Sequence, residues 1–436
     1  MSHEQSRSKA DAKEGKVTMS FTRRRHGVIA FVFVLLGVSA CVYAAGRNAV
    51  KWQELFDGKS LDGWETRGGD AKYHVEDGVI VGTTVKGSPN TFLCTKKEYG
   101  DFELELEFKC DSELNSGIQI RSHAYEKDTK VVMWRNGKRI ERVRNAGDVY
   151  GYQVEIAGNG GASGGIWDEA RKAMWLYDAR QNPDAARVFR DEQWNKYRIQ
   201  CVGDRIRTWV NGVACADFRD PVDMTGFIGL QVHSYRGEKP AQVRWRNIRI
   251  KDSGRHAWGP LFNGKDLAGW HSLPGGRWDV REGMIIGSNT ASDRRHGMLV
   301  SDRSYKDFTV RLKFKAVQGN SGLYFRADKV DGPVGVHGFQ AEIDASKDVG
   351  GLYETGGRAW VVQPKPDDVA RWFKPGQWNE MAVSAHGRWV VVHVNGHKTA
   401  ELKDDPGRVD GHLGLQLHGG QDMEVMFKDI EILGRR

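Results

Sequence analysis

Residues 102–109 read Phe102-Glu103-Leu104-Glu105-Leu106-Glu107-Phe108-Lys109, a strict alternation of apolar and charged side chains. Successive side chains of a strand point to opposite faces of its sheet, so this pattern predicts an antiparallel strand with one buried and one solvated face. The pattern returns in Phe308-Thr309-Val310-Arg311-Leu312-Lys313-Phe314. The recurrence indicates that one strand, and with it one folding unit, is present twice.

Further blocks recur in the same order around these two strands. The pairs are residues 55–64 with 261–270, 115–117 with 320–322, 152–156 with 339–343, 193–195 with 377–379, 210–212 with 394–396 and 229–233 with 414–418. Agreement over nearly the whole of both halves is the signature of an internal repeat. We therefore predict a tandem duplication with domains at residues 52–252 and 258–434. The linker at 253–258 is short, so the two units are expected to pack against each other.

Each half is predicted to be all-β. Asn211-Gly212 lies between two apolar runs and fits a type I′ hairpin turn. The 53 Gly and 15 Trp residues suit short aromatic-rich strands joined by tight turns, and no long segment has a helical period. These features favour a sandwich of two antiparallel sheets in each half.

The charge balance excludes nucleic acid as the expected partner. The chain of 436 residues has 65 Lys and Arg against 57 Asp and Glu, a net charge of +8. Residues 1–45 hold seven basic and three acidic side chains, so +4 of the total belongs to them and +4 to the rest. A charge this small and dispersed does not form a basic binding surface. The many tryptophans point instead to carbohydrate, because exposed indoles often form sugar platforms.

The N-terminus predicts export. Three arginines and a histidine at 23–26 precede an uncharged run at 27–46, the pattern of a secretory signal within residues 1–46, and a start at Met19 would give it an ordinary length. Cleavage after Ala40 or Ala44 would release a soluble protein. Val38-Ser39-Ala40-Cys41 resembles a lipobox, which would attach a lipid to Cys41, and an uncleaved run could also just span a bilayer. We favour cleavage, and expect a periplasmic, membrane-anchored or extracellular protein that meets a membrane only through this segment or that lipid.

Cysteine usage leaves two alternatives open. Cys94, Cys110, Cys201 and Cys215 all fall in the first half. Export permits disulfides, but the second half repeats the pattern without any cysteine. The prediction is either one bridge or four buried thiols.

The recurring motifs together resemble the 3-keto-disaccharide hydrolase family. They are Leu-Phe-Asp-Gly-Lys-x-Leu-x-Gly-Trp, Asp-Phe-x-Leu-x-x-Glu-Phe, Asn-Ser-Gly-Ile, Gln-Trp-Asn, Asn-Gly and Gly-Leu-Gln-x-His. The resemblance covers both halves and implies two concanavalin-like jelly rolls. It also implies action on glycosides already oxidised to a ketone at sugar C3. Members eliminate the aglycone across C1–C2 as 3-keto-glucoside 1,2-lyases, and some then hydrate the 2-hydroxy-glucal product.

Strand alternation places polar side chains from three strands of each half on one face. In the first half, Gln119 is expected to share this face with Arg121, Gln153 with Glu155, and Gln231 with His233. In the second half the expected members are Tyr324, Arg326, Gln340, Glu342, Asp344, Gln416 and His418. An outward face must be polar in any case, so the alternative is a purely structural face.

A second cluster, Trp167-Asp168-Glu169-Ala170-Arg171, corresponds to Tyr353, Glu354 and Arg358 in the other half. In the family a similar segment lies in a loop near the site, and an aromatic ring beside charged groups can hold a sugar. The alternative is a surface ion pair of little energetic value. The glutamines named above, with Trp167, Arg171, Asp344 and Tyr353, are the predicted substrate-binding residues.

The ketone suggests roles for these side chains. A C3 carbonyl acidifies the C2 proton, so a base of near-neutral pKa suffices, and histidine is such a base. His233 or His418 is the predicted base, with Glu155 or Glu342 as the alternative if burial raises its pKa. Arg121 or Arg326 would stabilise the enolate, and Asp168 or Glu169 would protonate the leaving oxygen. A divalent metal is a further alternative, with Glu155, Asp168 and His233 as candidate ligands, although no close-spaced ligand motif is present.

The two halves differ in one large insertion. Residues 122–150 in the first half form a predicted basic loop that could wall a pocket. The first copy also keeps the fuller Trp-Asp-Glu-Ala-Arg segment, whereas the second keeps Asp344 and the more family-like Leu-Gln-Leu-His-Gly. We expect the first copy to be active and the second to bind sugar, with two working sites as an alternative. The alternatives are a lectin-like binding protein without catalysis and a structural module with neither property.

Overall fold

A computed structural model describes residues 50–135, 138–157 and 160–435 of the chain. The predicted signal segment, with Cys41, lies outside these residues. In the described part, no helix has both the length and the apolar character that crossing a bilayer requires.

The first half folds into two antiparallel sheets. Its strands β1 to β17 are, in order, Gln53–Glu54, Trp64–Gly68, Lys72–Glu76, Val79–Thr83, Thr91–Thr95, Phe102–Cys110, Ser116–Ala124, Thr129–Arg135, Lys138–Arg144, Val149–Ile156, Ile166–Glu169, Trp175–Tyr177, Asn195–Val202, Arg205–Val210, Val213–Arg219, Phe227–Val232 and Gln242–Asp252. The first back sheet has the order β15-β14-β13-β6-β17-β4-β3, with β1 also paired to β17. The first front sheet has the order β12-β11-β10-β7-β16-β5-β2. Two short 3₁₀ helices, Ala179–Gln181 and Ala185–Arg187, follow β12.

The second half repeats this architecture. Its strands β18 to β32 are His256–Pro260, Trp270–Leu273, Arg277–Arg281, Met284–Asn289, Gly297–Tyr305, Phe308–Gln318, Asn320–Lys329, Val336–Asp344, Leu352–Thr355, Ala359–Val362, Asn379–His386, Trp389–Val394, His397–Leu402, Gly411–Leu417 and Met423–Arg435. The second back sheet has the order β20-β21-β32-β23-β28-β29-β30, with β18 paired to β32, and the second front sheet has the order β19-β22-β31-β24-β25-β26-β27. One helix, α1 (Pro366–Trp372), lies between β27 and β28. The predicted all-β fold of two tandem sandwiches is confirmed.

The cores lie between the two sheets of each sandwich. Phe102, Leu104, Leu106 and Phe108 are at most 1% exposed, and the glutamates between them face outward. The counterparts in β23 are buried in the same way. Sheet burial of this kind stabilises each sandwich by about 25 cal/mol per Å² of apolar surface removed from water. The alternating runs thus decide which face of each back sheet is inside.

The two sandwiches pack against each other within one compact unit. Thr309 of the second sandwich donates its hydroxyl to Asp204 of the first at 3.0 Å. The Arg205 guanidinium lies 5.4 Å from the centre of the Trp389 ring. In the linker, His256 Nδ1 lies 2.5 Å from Asp101 Oδ2. The short linker is therefore accompanied by direct contacts.

The inserted segment is a hairpin and not the loop predicted from its charge. Strands β8 and β9 pair with each other over Thr129–Arg135 and Lys138–Arg144 and join neither sheet of the sandwich. Alternation is present in Val131 and Met133, but the surrounding charges mask it. The hairpin connects β7 to β10 along the chain.

The cysteines in the described residues are free thiols. Cys94, Cys110, Cys201 and Cys215 are all buried and unbridged. Burial raises the pKa of the Cys201 thiol to about 11, so it stays protonated and unreactive at neutral pH. Of the two alternatives, the structure has four buried thiols.

Candidate functional site

The outer face of the first front sheet carries a buried group of polar side chains, called the first site here. Its first members are Gln119 of β7, Gln153 and Glu155 of β10, and Gln231 of β16. Each is at most 6% exposed, although it points away from the apolar core. Burying polar groups costs free energy unless they are hydrogen-bonded. A solvated structural face would not bury them, so the arrangement indicates a built site.

A chain of hydrogen bonds crosses this face and ends at one carboxyl group. Gln119 Nε2 donates to Gln153 Oε1 at 2.7 Å, and Gln153 Nε2 donates to Glu155 Oε2 at 2.9 Å. Asn115 donates to the other oxygen of Glu155. Burial raises the pKa of Glu155, while these two amide donors oppose the rise. Glu155 is thus fixed in position with its charged form disfavoured.

A second carboxyl group joins the first site from the neighbouring strand β11. Glu169 Oε1 accepts a hydrogen bond from Asn90 Nδ2 at 3.0 Å. Burial raises the pKa of Glu169, the Asn90 hydrogen bond and the positive charge of His233 lower it, and the nearby Glu155 carboxylate raises it. His233 also lowers the pKa of Glu155. The electrostatic coupling shows that the two carboxyl groups and the imidazole share one small region.

The orientation of the His233 ring follows from its backbone contact. Nδ1 lies 2.8 Å from the carbonyl oxygen of Ser234. A carbonyl oxygen can only accept, so Nδ1 carries the proton in the neutral ring and Nε2 presents a lone pair. Asn90 Oδ1 accepts from the Ser234 backbone N–H at 2.8 Å and fixes this strand end. His233 is therefore arranged to accept a proton at Nε2.

A pair of aromatic side chains borders the first site, and an equivalent pair lies in the second sandwich. Trp167 is the cross-strand neighbour of Gln153, and its ring packs edge-on against Trp175 at 5.2 Å. In the second sandwich Tyr353 is the neighbour of Gln340 and packs edge-on against Trp360 at 5.3 Å. Such half-buried rings are suited to stacking on the C–H face of a sugar.

The repeated Asn-Ser-Gly block has a steric explanation. Gln153 lies so close over Gly117 that a Cβ there would come within 2.5 Å of Gln153 Cδ, and Gln340 lies in the same way over Gly322. Glycine is needed because the Gln153 side chain leans over the neighbouring strand at Gly117, the cross-strand partner of Glu155, while its amide donates to Glu155 on its own strand. The block therefore positions the carboxyl group of each site.

Gly117→Ala is expected to destabilise the protein by about 1–3 kcal/mol, because the added methyl group overpacks the face and displaces Gln153 from Glu155. Gly434→Ala is the control, since a Cβ at Gly434 meets nothing within 4 Å. Chemical denaturation of both variants measures the difference. Equal stability of the two variants would contradict the steric explanation.

The second sandwich carries a related second site. Gln340 Nε2 donates to Glu342 Oε2 at 2.9 Å and to Gln416 Oε1 at 3.0 Å, and Asn320 donates to Glu342. Gln416 also contacts His296, whose ring lies 4.3 Å from that of His418. Burial and, to a smaller extent, the charge of His418 together lower the pKa of His296 to about 4.

The second site lacks one carboxyl group. Glu169 is the cross-strand partner of Gly151, and Thr355 is the partner of Gly338 at the equivalent place. Thr355 is hydrogen-bonded to Tyr324 at 2.7 Å. The two sites therefore share a glutamate, glutamines, a histidine and an aromatic pair, but differ at this position.

The pKa of Glu342 predicts a pH dependence of stability. Burial raises this pKa from 4.5 to about 8. Between these values the folded protein holds a proton that the unfolded chain releases, so stability is greatest below about pH 4.5 and falls as pH rises towards 8. The contribution to the slope is at most about 1.4 kcal/mol per pH unit. Glu342→Gln is expected to remove this contribution to the slope of the unfolding free energy against pH, measured by chemical denaturation from pH 5 to 8. An unchanged slope would contradict the assignment to Glu342.

A sequence model described as the 3-keto-alpha-glucoside-1,2-lyase-like domain matches residues 51–251 and 257–433. The chain belongs to this family. The resemblance in the motifs is confirmed, and so are the two tandem copies. Membership supports a carbohydrate-related function, and the two sites lie at corresponding places in the two lyase-like domains.

Several solved structures are similar to one or the other half. A candidate glycosyl hydrolase of Parabacteroides distasonis ATCC 8503 is 21% identical, with 40% of this chain and 92% of that chain covered and a TM-score of 0.31. A carbohydrate binding module of Bacillus subtilis is 18% identical, with 37% and 93% covered and a TM-score of 0.31. A Bacillus subtilis protein of unknown function with a galectin-like fold is 16% identical, with 41% and 96% covered and a TM-score of 0.31. No curated protein sequence matches this chain.

Two predicted catalytic arginines of the lyase-like domains do not lie on the site face. Arg121 is 0% exposed and donates to the carbonyl oxygens of Gly100 at 2.8 Å and Gly203 at 2.7 Å. Its φ of +46° marks a bulge in β7, and the pairing with β16 shifts register there. The extra residue reverses the alternation, so Arg121 turns into the sandwich while Gln119 faces outward.

Arg326 behaves in the same way in the second domain. Its φ is +50°, and its guanidinium donates to the carbonyl oxygens of Arg408 and Lys306. The placement of both arginines with the site glutamines is therefore wrong. Tyr324, by contrast, does reach Gln416 on the second site, at 3.3 Å.

Asp168 and Arg171 also lie away from the first site. Asp168 pairs across the strands with the core residue Tyr152 and is 0% exposed. Arg171 Nε donates to Asp168 at 3.0 Å, and its Nη1 donates to Asp223 at 2.9 Å. The corresponding ion cluster of the second domain consists of Glu354, Arg358 and Asp405. Both clusters brace the strand edge, so roles in catalysis or sugar binding are not supported.

The candidate metal ligands are not brought together. Asp168 is on the opposite side of β11 from Glu169, so it does not join Glu155 and His233. Within the described ranges, no group of three or more His, Cys, Asp or Glu side chains is arranged to hold a metal ion. Asp344 receives only a 3.4 Å contact from Asn320 and mainly accepts from the turn at Ser346 and Lys347.

Some site residues were not predicted from the sequence. They are Asn90, Asn115, Trp175, His296, Asn320 and Trp360. Asn115 and Asn320 recur within the Asn-Ser-Gly block, so the repeat itself offered a signal for them. The others come from loops or edge strands whose sequences differ between the two copies, and only the fold brings them to the sites.

Proposed function

We propose that the first lyase-like domain cleaves 3-keto-glycosides by elimination across C1–C2. The observation that carries this proposal is the grouping of buried Glu155, half-buried Glu169 and His233, in which Asn90 is hydrogen-bonded both to Glu169 and to the backbone of Ser234 next to His233. An elimination needs one group to take a proton and another to give one. Burial raises the pKa of both carboxyl groups and so favours the protonated form that a proton donor needs.

The proposed reaction begins at C2. The ketone at C3 acidifies the C2 proton, which His233 Nε2 accepts, and the electron pair of the broken C–H bond delocalises into the C3 carbonyl as an enolate. The C1–O bond then breaks as C1=C2 forms and the C3 carbonyl is restored. Glu169 gives its proton to the departing oxygen. Addition of water across C1=C2 would complete a hydrolysis.

The enolate needs a hydrogen-bond donor other than Arg121. Glu155 lies on the same face, held by Asn115 and Gln153, and burial raises its pKa. A protonated carboxyl group in a buried site can donate to an oxyanion, and such stabilisation contributes strongly in a water-excluded site. We thus assign stabilisation of the enolate to Glu155 and transfer of the C2 proton to His233.

An unsatisfied amide supports substrate binding at the first site. Gln231 is 0% exposed, and neither Nε2 nor Oε1 has a hydrogen-bond partner among the described residues. Its counterpart Gln416 is fully engaged with Gln340, His296 and Tyr324. An orphaned buried amide is costly unless water or a ligand satisfies it. A sugar hydroxyl is a suitable partner.

The second domain is proposed to bind sugar without cleaving it. It keeps Glu342, the glutamines and the Tyr353–Trp360 pair, but Thr355 stands where the proton donor Glu169 stands in the first domain. Without that group the departing oxygen has no acid. This is a lectin-like role within the same chain.

Variants at Glu169 test the proton-donor assignment. Glu169→Gln is expected to slow aglycone release from a 3-keto-alkyl-glucoside by about 10²-fold or more, because an alkoxide leaves poorly without a proton. Release of p-nitrophenol, a good leaving group, should slow far less. Equal slowing of both substrates would contradict general-acid action by Glu169.

The same assay tests the reaction class. Purified protein is incubated with a 3-keto-disaccharide and with the unoxidised parent disaccharide, each with and without EDTA. Release only from the oxidised substrate supports the proposal, and sensitivity to EDTA would assign a metal to the reaction. No release from either substrate with metals supplied, while glycans still bind, would leave the lectin-like function for both domains.

Export remains part of the proposal. The basic and apolar segment at residues 23–46 would deliver the protein to the periplasm or beyond. Fractionation of producing cells, with mass spectrometry of the mature N-terminus, would separate cleavage after Ala40 or Ala44 from lipidation of Cys41.

A further inference from the structure

A cavity of about 560 Å³ lies between the two sandwiches, and none of the hydrogen-bonded glutamines and glutamates of the two sites lines it. The first sandwich contributes Trp134 of the inserted hairpin, Lys172, and Trp175 of β12. The second contributes Arg371 and Trp372 of α1, and His393 of β29. A volume of this size falls within the range of small-molecule pockets, which occur preferentially between domains.

The walls of the cavity are formed largely by apolar and aromatic side chains that remain partly exposed. Trp134, Trp175 and Trp372 are each only partly buried. At the rim, Val132 is 43% exposed and Met174 is 39% exposed. Indole faces around a cavity with an open rim are suited to the C–H faces of pyranose rings.

The polar groups of the cavity favour an uncharged ligand. Lys172 donates to the carbonyl oxygen of Gly396 and lies 3.9 Å from Asp168, and Arg371 pairs with Asp368 at 3.3 Å. These cations already have partners, so the cavity offers little net attraction for an anion. Burial also lowers the pKa of Lys172 and of His393.

One polar group of the cavity wall has no partner. His393 is 3% exposed, and in the described part of the chain its Nδ1 makes no hydrogen bond. A neutral imidazole in this position can exchange a hydrogen bond with a hydroxyl group. A buried nitrogen left without any partner would destabilise the protein, so a ligand or water is expected there.

We propose that this cavity is a further carbohydrate-binding site, which holds a neutral oligosaccharide of about two rings between the sandwiches. The site is independent of the proposed elimination, since none of its residues belongs to the hydrogen-bonded group around Glu155. Trp175 links the two places, because its other contact is Trp167 beside the first site. An oligosaccharide could therefore be held in the cavity while another sugar occupies the first site.

Titration calorimetry with maltose and cellobiose tests the proposal. Trp134→Ala and Trp372→Ala are expected to weaken binding of the preferred disaccharide by about tenfold or more, as the loss of a stacked ring implies. Trp209→Ala is the matched control, because Trp209 lies on the first back sheet beneath Arg198 and Arg207. Trp209→Ala should leave this affinity within about twofold of the unmodified protein.

A second measurement does not depend on the variants folding equally well. A ligand that touches both sandwiches stabilises the folded protein, so maltose or cellobiose should raise the melting temperature of the unmodified protein in a saturable manner. The rise should vanish in Trp134→Ala and persist in Trp209→Ala. Failure of both disaccharides to bind saturably, or binding by Trp134→Ala and Trp372→Ala as tight as that of the unmodified protein, would overturn the proposal.

Discussion

His233→Gln is expected to lower kcat for release from a 3-keto-glycoside by about 10²–10⁴-fold, the usual contribution of a positioned general base. Glutamine occupies a similar space and can donate to Ser234, but its amide cannot accept the C2 proton. Since the proton transfer and not the sugar contacts is removed, KM should change little. Steady-state kinetics with a 3-keto-disaccharide measures both quantities.

The second domain supplies a matched control for this variant. His418 Nδ1 lies 2.8 Å from the Gly419 carbonyl oxygen, the same contact that His233 makes with Ser234. His418→Gln should leave release within about twofold, because the second site lacks the equivalent of Glu169. Loss of activity from His418→Gln with retention in His233→Gln would place the reaction in the second domain.

Arg121→Met is expected to destabilise the first sandwich by about 3–5 kcal/mol, the usual result of removing one partner of a buried ion pair. The guanidinium joins β7 to the start of β6 and to the turn at Gly203, and it lies 3.3 Å from the buried Asp101. Methionine fills much of the volume but leaves Asp101 and two carbonyl groups with fewer donors. Chemical denaturation monitored by tryptophan fluorescence measures the loss.

Arg198→Met serves as the comparison. Arg198 pairs with Glu103 on the outer face of the first back sheet, with its side chain 43% exposed. Exposed pairs of this kind contribute at most about 1 kcal/mol, so this variant should unfold close to the unmodified protein. If Arg121→Met kept full stability but no longer released the aglycone, this result would instead support the original prediction that Arg121 stabilises the enolate.

Residues with a two-residue repeat in long, regular strands could be placed from the sequence. Gln153 and Glu155 alternate with the core residues Val154 and Ile156, and the structure brings them together on the outer face. His233 lies two residues after Gln231, so the same alternation predicts that both side chains point to the outer face. Alternation works there because a strand buried on one face forces every second side chain outward.

Alternation did not predict the correct face for residues in strands that are irregular or short. The bulge at Arg121 inserts a residue into β7 and reverses the phase, and nothing in the local sequence marks it. In β11, which has only four residues, Asp168 and Glu169 are adjacent carboxylates. Only cross-strand pairing with Tyr152 and Gly151 decides that Glu169 faces the site and Asp168 the ion cluster.

The sequence by itself determined the duplication, the two sandwiches and the core of each sheet, because these rest on local periodicity and on a repeat that needs no third dimension. The tertiary structure decided which carboxyl groups meet His233, why glycine is needed beneath Gln153, and where a cavity forms between the sandwiches. These features join residues that lie far apart in the chain. Their positions depend on pairing register and on the contact between the two sandwiches, and single-strand patterns carry no information about either.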